Sequence, residues 1–479
     1  MEKYCPICFD DFIFPTILND GATFCFNCAY RININAKLRN TIVENYFQFD
    51  SPSVEPFALE NLIRASNRIE YLNQYESVLL NNFQILYSGR KLMISDDEFK
   101  LLVDKCDNLE CVHDGLPFFS FVCSFLNFDL VKYVAEKGVK MDVIDDAFNM
   151  YPMHYICLRN DTTIDIINYF VNRGVDYECQ SELKMRPIHY ICRNENDLLE
   201  LVKYFVEVLD ADLECENEYG LRPIHYICRR KDSFETLKYL AEKNINLECV
   251  NKHKMSPIHY VCKYGTYEAF KYLVEEKNVN IYGIDDDGNQ IIHYVCNYGL
   301  YYSCDEMKII DDYMGRHIYR FISADDAINV IKYLVENKNV DINCINNKGN
   351  RPIHYVCGQF ASFDIFKYFV DRVDVECANV YNERPIHFVC RYGTFEMLSY
   401  LFETKAVNLH IADNEGMRPI HNVCIYGSGG DSIKYLAENG VDINAIDNDG
   451  HSPLYYLMKH RNNDESREII DYLIEKGAR

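Results

Sequence analysis

The chain has 479 residues, of which 48% are hydrophobic and 25% are charged, and its formal net charge is −24. Because that charge repels phosphate backbones, we expect no nucleic acid partner. No stretch approaches the roughly 18 consecutive apolar residues of a membrane span, and the first residues lack a basic segment followed by an apolar one. We therefore expect a cytoplasmic, or alternatively nuclear, protein that does not cross a membrane.

Two Cys-x-x-Cys pairs stand near the N-terminus. Cys5 and Cys8 form the first pair, Cys25 and Cys28 form the second, and 16 residues lie between the pairs. Each such pair can present two thiolates to one ion, and four thiolates suit a tetrahedral zinc site. The spacing predicts one bound zinc ion. The alternative is a small packed domain with four free thiols.

The residues around these cysteines resemble a RING finger. The stretch Asp20-Gly-Ala-Thr-Phe-Cys25 is similar to the family's Cys-Gly-His-Thr-Phe-Cys segment, with Asp20 and Ala22 at the third and fourth ligand positions. Residues 51–57 resemble the closing Cys-Pro-x-Cys knuckle with both cysteines replaced. The resemblance implies a small α+β domain over residues 1–75, with one complete zinc site and a second half held without metal, as in U-box relatives.

The resemblance also implies an activity. RING and U-box modules act as ubiquitin ligases by placing a charged ubiquitin-conjugating enzyme beside a substrate, and they supply no catalytic nucleophile. In the family the conjugating enzyme docks on an apolar residue of the first knuckle and a proline of the last loop. Ile7 and Pro52 occupy the matching positions.

Residues 76–115 form the next predicted segment, a helical connector. Asp96–Val103 has the apolar spacing of a short amphipathic helix.

A Pro-apolar-His phrase recurs from residue 152 onward. Successive histidines are separated by 35, 36, 34, 34, 61, 33 and 34 residues. They are His154, His189, His225, His259, His293, His354, His387 and His421. Degenerate copies begin at Pro117 and Pro453, which brings the number of copies to ten. Proline in the first turn loses no hydrogen bond and presets the backbone angle, so each phrase predicts the start of a helix. A second amphipathic segment, such as Phe234–Leu240, follows about ten residues later.

This period and phrase resemble the ankyrin family over residues 116–479. The resemblance implies a mainly α fold, a solenoid of about ten helix pairs that binds a client protein. The long step between His293 and His354 predicts an insertion near residues 299–326. Such an insertion forms part of a binding face or is a plain difference in length. The final copy is expected to end with a polar face that caps the array.

The turns between helix pairs predict left-handed backbone conformations. Several turns place glycine where a positive φ is needed, whereas Lys184, Lys254 and Asn382 stand at that position in other copies. These three residues are expected to adopt the left-handed conformation at some cost. Where arginine precedes the proline, the hydroxyl cap usual in the family is missing.

The recurring histidines and cysteines are predicted to be structural. Stacked helices lie about 8–10 Å apart, whereas zinc ligands must approach one ion to roughly 2.0–2.3 Å. One histidine per copy is therefore badly placed for a shared metal. We expect the imidazoles to hydrogen-bond the backbone of neighbouring loops and the cysteines to fill tight helix contacts.

Two functions agree with the sequence. In the first, the repeats hold a client protein and the N-terminal module presents a conjugating enzyme for its ubiquitination. In the second, the chain is a non-enzymatic adaptor and the zinc module is only structural. Binding of a client through the repeats is common to both.

Overall fold

The computed structural model describes residues 15–17, 23–25, 87–88, 91–92 and 95–479, except 107, 114, 147, 195–198, 298–321, 359–361, 427–429 and 461–463. The chain divides into two compact units, one with the described residues up to Ala211 and one with those from Asp212 onward. Among the described residues, no helix combines the length and apolarity that a membrane span requires.

Short antiparallel strand pairs precede the described helices. Strands β1 (Pro15–Ile17) and β2 (Thr23–Cys25) pair so that Cys25 lies opposite Pro15. Strands β3 (Tyr87–Ser88) and β4 (Lys91–Leu92) form a second hairpin. Cys5, Cys8, Cys28, Ile7 and Pro52 lie outside the described residues, and Cys25 is described only as the last residue of β2. The zinc module over residues 1–75 therefore stays a prediction.

The first described helix, α1, spans Asp96–Lys105 and confirms the amphipathic helix expected there. Ser95 accepts a hydrogen bond from the backbone N–H of Glu98, whose carboxylate accepts from the backbone N–H of Ser95. This reciprocal cap fixes the first turn. The buried side chain of Phe99 packs against Phe118, with ring centroids 6.3 Å apart.

The first unit continues with a strand pair and three helix pairs. Their bounds are β5 (Val112–His113), β6 (Leu116–Pro117), α2 (Phe118–Phe125), α3 (Phe128–Glu136), α4 (Pro152–Leu158), α5 (Ile164–Val171), α6 (Pro187–Arg193) and α7 (Leu199–Glu207). First helices pack on first helices, α2 on α4 and α4 on α6. The apolar stripe of each helix, for example Ile166, Ile167 and Phe170 in α5, is thereby buried.

The described residues of the second unit form seven helix pairs. Their bounds are α8 (Pro223–Cys228), α9 (Phe234–Glu242), α10 (Pro257–Tyr264), α11 (Tyr267–Lys271), α12 (Ile291–Cys296), α13 (Ala324–Lys332), α14 (Pro352–Tyr355), α15 (Phe363–Val370), α16 (Pro385–Tyr392), α17 (Phe395–Lys405), α18 (Pro419–Tyr426), α19 (Gly430–Glu438), α20 (Pro453–His460) and α21 (Asp464–Glu475). Each first helix packs on the next first helix, and each second helix on the next second helix. The described residues thus contain the ten helix pairs that the sequence predicts.

Two second helices of this unit end in a π-helical turn. Tyr272–Glu276 continues α11, and Tyr333–Asn337 continues α13. The two turns lie in neighbouring pairs, and the Tyr333 hydroxyl donates to Glu275 over 2.9 Å.

Within the long step, the chain joins the helix array at Ile322. Its backbone N–H donates to the carbonyl of Lys263 over 2.9 Å, and its side chain is buried. Ser323 caps α13, and the Asp326 carboxylate accepts from the backbone N–H of Tyr267 at 2.9 Å. Residues 323–326, which the sequence analysis placed at the end of the insertion, thus form the cap and the first turn of a second helix.

The predicted left-handed turn residues are confirmed. Lys184, Lys254 and Asn382 have φ values of 54°, 60° and 59°. Gly349, at the corresponding position of another turn, has a φ of 69°. A side chain in this region costs roughly 1–2 kcal/mol, so these three turns are strained.

Candidate functional site

Each repeated histidine is the third residue of its helix, and each is buried. In all eight, the Nδ1 atom accepts a hydrogen bond from the backbone N–H three residues earlier, over 3.0–3.1 Å. The imidazole thus takes the acceptor role that a glutamate fills in a capping box. It satisfies a backbone donor at the helix start even where arginine replaces the usual hydroxyl residue.

This bond also fixes the tautomer of the rings. Because a backbone N–H can only donate, Nδ1 must be the unprotonated nitrogen, and Nε2 carries the hydrogen. Nε2 of His154 donates to the Cys179 carbonyl over 3.1 Å, and Nε2 of His421 donates to the Ala445 carbonyl over 3.1 Å. Each of these imidazoles therefore ties a helix start to the loop that follows its own helix pair.

Burial keeps these imidazoles neutral. It lowers the pKa of His225 to about 3 and that of His154 to about 4. The thiol of Cys179 lies 3.6 Å from Nε2 of His154, and burial raises its pKa to about 12. The pair therefore stays a neutral thiol and a neutral imidazole rather than a nucleophilic thiolate. Within the described ranges, no three His, Cys, Asp or Glu side chains are grouped to hold a metal.

An Asn or Asp side chain organises most of the loops that precede a first helix. Oδ1 of Asn251 accepts from the backbone N–H groups of His253 and Met255, at 3.0 and 2.8 Å. Its Nδ2 donates to the hydroxyl of Tyr260 in the following helix over 3.0 Å. Asn217 and Asn346 make the same bonds to Tyr226 and Tyr355. This side chain closes the turn and attaches it to the helix behind it.

Arginine before the proline adds a link of its own. Arg384 pairs with Glu376 of the same loop, and the other oxygen of Glu376 accepts from the backbone N–H of Asn408 in the next loop over 2.8 Å. Arg222 and Glu214 repeat the arrangement, with Glu214 accepting from Asn246 over 2.7 Å. Neighbouring loops are thereby connected through a charged side chain.

In the second unit the loop tips are joined by backbone hydrogen bonds, an arrangement that we call the loop ladder. At each step, a backbone N–H of one loop donates to a tip carbonyl of the loop before it, over 2.8–3.1 Å. The donor and acceptor pairs are Lys252 and Tyr219, Asp286 and His253, Asn347 and Asp287, Val380 and Lys348, Asn414 and Tyr381, and Asn448 and Glu415. Because these hydrogen bonds join backbone groups, each loop keeps a fixed position and orientation relative to the next.

The loop ladder presents a row of exposed aliphatic side chains. Val250, Ile284 and Ile345 occupy one position in three successive loops, immediately before the Asn or Asp that closes the turn, and they are 49%, 53% and 60% exposed. Tyr282, two residues before Ile284, is 61% exposed. We call these four residues the apolar row. Single exposed apolar residues are ordinary, but a contiguous exposed group marks an interaction site.

The sequence analysis missed the apolar row. Its signal was present, because a β-branched residue recurs before the loop Asn or Asp at Val250, Ile284, Ile345 and Ile446. The pattern is hard to see in the sequence because exposed and buried residues alternate in these loops as they do in a strand. Cys249 and Cys344, which directly precede Val250 and Ile345, are buried.

The loops of the second unit are strongly acidic. They contain seventeen acidic and seven basic residues, a net charge of −10. The ranges are 212–222, 246–256, 280–290, 341–351, 374–384, 408–418 and 442–452. Lys252 and Lys254 beside the apolar row pair with Glu218 and Asp286 at 3.2 and 2.9 Å. The surface therefore combines an apolar centre with an acidic surround.

Comparison with known proteins agrees with this geometry. The family model for ankyrin repeats, described as three copies, matches residues 153–251, 188–285, 224–307, 320–413 and 386–479. No curated protein matches the chain. The matched segments cover more than half of the sequence, and they include the histidine caps and the loop ladder. The chain belongs to the ankyrin-repeat family.

Proposed function

We propose that the loop ladder of the second unit binds a client protein, and that the apolar row is the centre of the contact. Ankyrin repeats support a role as a protein interaction scaffold. The single observation that carries the location is the exposure of Val250, Ile284 and Ile345 at one position of adjacent, hydrogen-bonded loops.

The energetics favour a compact contact there. Burying one aliphatic side chain of this size stabilises by roughly 1.5–3 kcal/mol, and a few such residues dominate most interfaces. Since backbone bonds already hold the loops, little conformational entropy is lost on binding. The client supplies apolar side chains to Tyr282 and its neighbours.

The acidic loops define the rest of the client surface. A net charge of −10 over the seven loops attracts a basic segment and speeds its association at low salt. The client is therefore proposed to carry lysine or arginine around an apolar centre.

This proposal is tested with a displayed library of peptides that combine basic and aliphatic residues. The full chain should enrich binders, and the double variant Ile284→Asp with Ile345→Asp should lose at least about tenfold in affinity for them. Val208→Asp, at an exposed position of the first unit, serves as the control and should bind normally. Equal binding by the wild type and the double variant would refute the location.

We propose further that the N-terminal module directs ubiquitination of the client. Four cysteine thiols, Cys5, Cys8, Cys25 and Cys28, suit zinc as a donor set. The hairpin β1–β2 supports the proposal, because the chain between the two cysteine pairs turns back and ends at Cys25. The zinc ion would hold the fold of the module. Ile7 and Pro52 would contact a ubiquitin-conjugating enzyme. Ubiquitin transfer would then be accelerated because the enzyme is held close to the client.

The rival is a non-enzymatic adaptor that binds a client through the same loops. Incubation of the full chain with ubiquitin, activating enzyme and a panel of conjugating enzymes separates the two. Ubiquitin chains that disappear with Ile7→Ala support the ligase. If no chains form with any conjugating enzyme, the ligase proposal should be abandoned, and the adaptor function stands.

A further inference from the structure

Two first helices of the second unit, α10 and α16, share nearly the same sequence. The segments 257–266 and 385–394 are identical at eight of their ten positions. Each segment forms a first helix and the junction that leads into the second helix of its pair. Thr266 and Thr394 cap these second helices, α11 and α17, by accepting a backbone hydrogen bond at 3.2 Å. The two junctions therefore have the same local structure and can be compared directly.

The chain itself covers the junction between α10 and α11. The backbone N–H of Ile322 donates to the carbonyl of Lys263 over 2.9 Å. Four residues later, the carboxylate of Asp326 accepts from the backbone N–H of Tyr267, also over 2.9 Å. Ile322, Lys263 and Tyr264 are buried. An aliphatic residue and a carboxylate four positions further on thus occupy this junction.

The matching junction between α16 and α17 is open. Arg391 and Tyr392 are half-buried, Phe395 is 41% exposed, and Tyr426, whose ring centroid lies 6.5 Å from that of Tyr392, is 57% exposed. Among the described residues, no backbone N–H donates to the carbonyl of Arg391, and no group accepts from the backbone N–H of Phe395. These are the two backbone groups that the chain satisfies at the first junction. We call the four residues the open junction.

The two junctions differ in the connection that follows. The rings of Tyr267 and Phe395 each pack edge-on to a tyrosine of the next second helix or its final turn, with centroids 6.3 and 5.4 Å apart. The next pair after α10 and α11 has 27 residues between its helices α12 and α13, and these include Ile322. The next pair after α16 and α17 has three residues between α18 and α19, two glycines and a serine. This shorter connection contains no aliphatic side chain.

We propose that the open junction binds a partner protein through a segment in which an aliphatic residue is followed four positions later by aspartate, at the start of a helix. The aliphatic side chain lies against the two tyrosine rings, and its backbone N–H donates to the carbonyl of Arg391. The aspartate accepts from the backbone N–H of Phe395. The partner segment thus repeats the contacts that Ile322 and Asp326 make at the first junction.

The charge of the open junction suits such a segment. Helix α17 has eleven residues, and the partial positive charge at its N-terminus favours a carboxylate. A hydrogen bond from a backbone N–H to a carboxylate is also stronger than one to a neutral acceptor. Glu396 is exposed beside this site, as Glu268 is at the first junction. Because Asp326 is bound next to Glu268, one neighbouring glutamate does not prevent the contact.

The tyrosine surface is held in place before any partner binds. The guanidinium of Arg391 pairs with Glu383 at 2.8 Å and donates to Oδ1 of Asn422 over 3.1 Å. It also lies 5.6 Å from the ring centroid of Tyr426. Since Arg391 is fixed by two partners, it fixes the rings in turn, and little conformational entropy is lost on binding.

A peptide taken from the chain itself tests the proposal. Isothermal titration calorimetry of the full chain with the acetylated peptide of residues 322–329 should show saturable binding. The variant Tyr426→Glu should weaken this binding by at least about tenfold. Tyr381→Glu, at a loop residue that is 53% exposed, is the matched control and should bind normally. Peptides with Ile322→Asp or Asp326→Ala should each bind at least about tenfold more weakly.

A wild type that does not bind the peptide at concentrations up to about 1 mM overturns the proposal. So does equal binding by the Tyr426→Glu chain or by the two altered peptides. The peptide results do not depend on the folding of a protein variant. The chain with Ile284→Asp and Ile345→Asp should bind this peptide normally, which separates the open junction from the client site on the loop ladder.

Discussion

Tyr294 donates the hydrogen of its hydroxyl group to the carboxylate of Asp285, nine residues earlier in the chain. One repeat before, the direction is reversed, because the amide of Asn251 donates to the hydroxyl oxygen of Tyr260. The same loop position therefore accepts either side chain, provided that the hydroxyl group turns to match it.

Asp285→Asn is accordingly expected to change stability by less than about 1 kcal/mol. Oδ1 would keep the bond from the backbone N–H of Asn289, now 2.7 Å long, and the new amide would donate to Tyr294 in place of the bond that Oδ2 now accepts from the side-chain amide of Asn289 over 2.9 Å. Asp285→Ala leaves the Tyr294 hydroxyl and both N–H groups of Asn289 without this acceptor and is expected to cost about 1–3 kcal/mol. Urea unfolding midpoints of the wild type and the two variants test this prediction. Equal losses of stability in the Asn and Ala variants would contradict it.

Acid is expected to unfold the repeats through the histidines. Burial lowers the pKa of His225 to about 3, and lowers that of His154, His259, His293, His354 and His387 to about 4. An unfolded histidine has a pKa of about 6.5, so the unfolded chain binds more protons below that pH. The stabilising contribution is complete above about pH 6.5 and is lost as pH falls toward about 4.

Each of these histidines should lower the free energy of unfolding by about 1.4 kcal/mol for every unit that the pH falls within that window. Urea midpoints measured from about pH 7.5 to 5, above the usual carboxylate range, test this. His225→Gln should be less stable at the upper limit but should show a shallower pH dependence. A midpoint that does not change with pH would contradict the expectation.

The turn at Lys254 offers a test of backbone strain. Lys254→Ala keeps a Cβ atom on a residue with a φ of 60°, whereas Lys254→Gly removes the Cβ atom and relieves the backbone strain. Both variants lose the same exposed ion pair with Asp286. Glycine should therefore be more stable than alanine here by about 1 kcal/mol, the reverse of their usual order.

Gly349→Ala is the converse change and should destabilise. A Cβ atom there would lie 3.0 Å from the backbone nitrogen of Val380, at a φ of 69°. Thermal unfolding of the variants gives both comparisons. An alanine variant at position 254 as stable as the glycine variant would show that the turn is unstrained.

Metal content tests the N-terminal prediction. The full chain should contain one zinc ion, and Cys5→Ser should lose it. Cys249→Ser, a buried thiol 4.0 Å from the imidazole of His225, should keep the metal. A content of two ions, or of none, would refute a single site.

The sequence predicted the helix pairs well because proline and histidine act locally. Proline fixes the start of a helix, and histidine two positions later caps it, so a phrase of a few residues carries the information. The strained turns at Lys184 and Lys254 were predictable for the same reason. Their φ follows from the position alone.

Exposure was harder to predict because it depends on neighbouring repeats. Ile345 and the buried Cys344 are adjacent in the sequence, and only the ladder of loops determines which one faces outward. Tyr455 takes the place of a buried histidine, yet it is exposed because no described pair covers it. Residues 323–326 were assigned to an insertion, although Ser323 and Asp326 cap and anchor a regular helix.

The backbone rungs between loops set a fixed step for anything that lies along them. A ligand that reaches from Val250 to Ile345 must place its own side chains at the same interval, so the fold acts as a ruler for sequence spacing in the bound segment. Adding or removing one residue between two anchors of that segment would shift them out of phase. Recognition would then depend on the distance between anchors as much as on their chemistry.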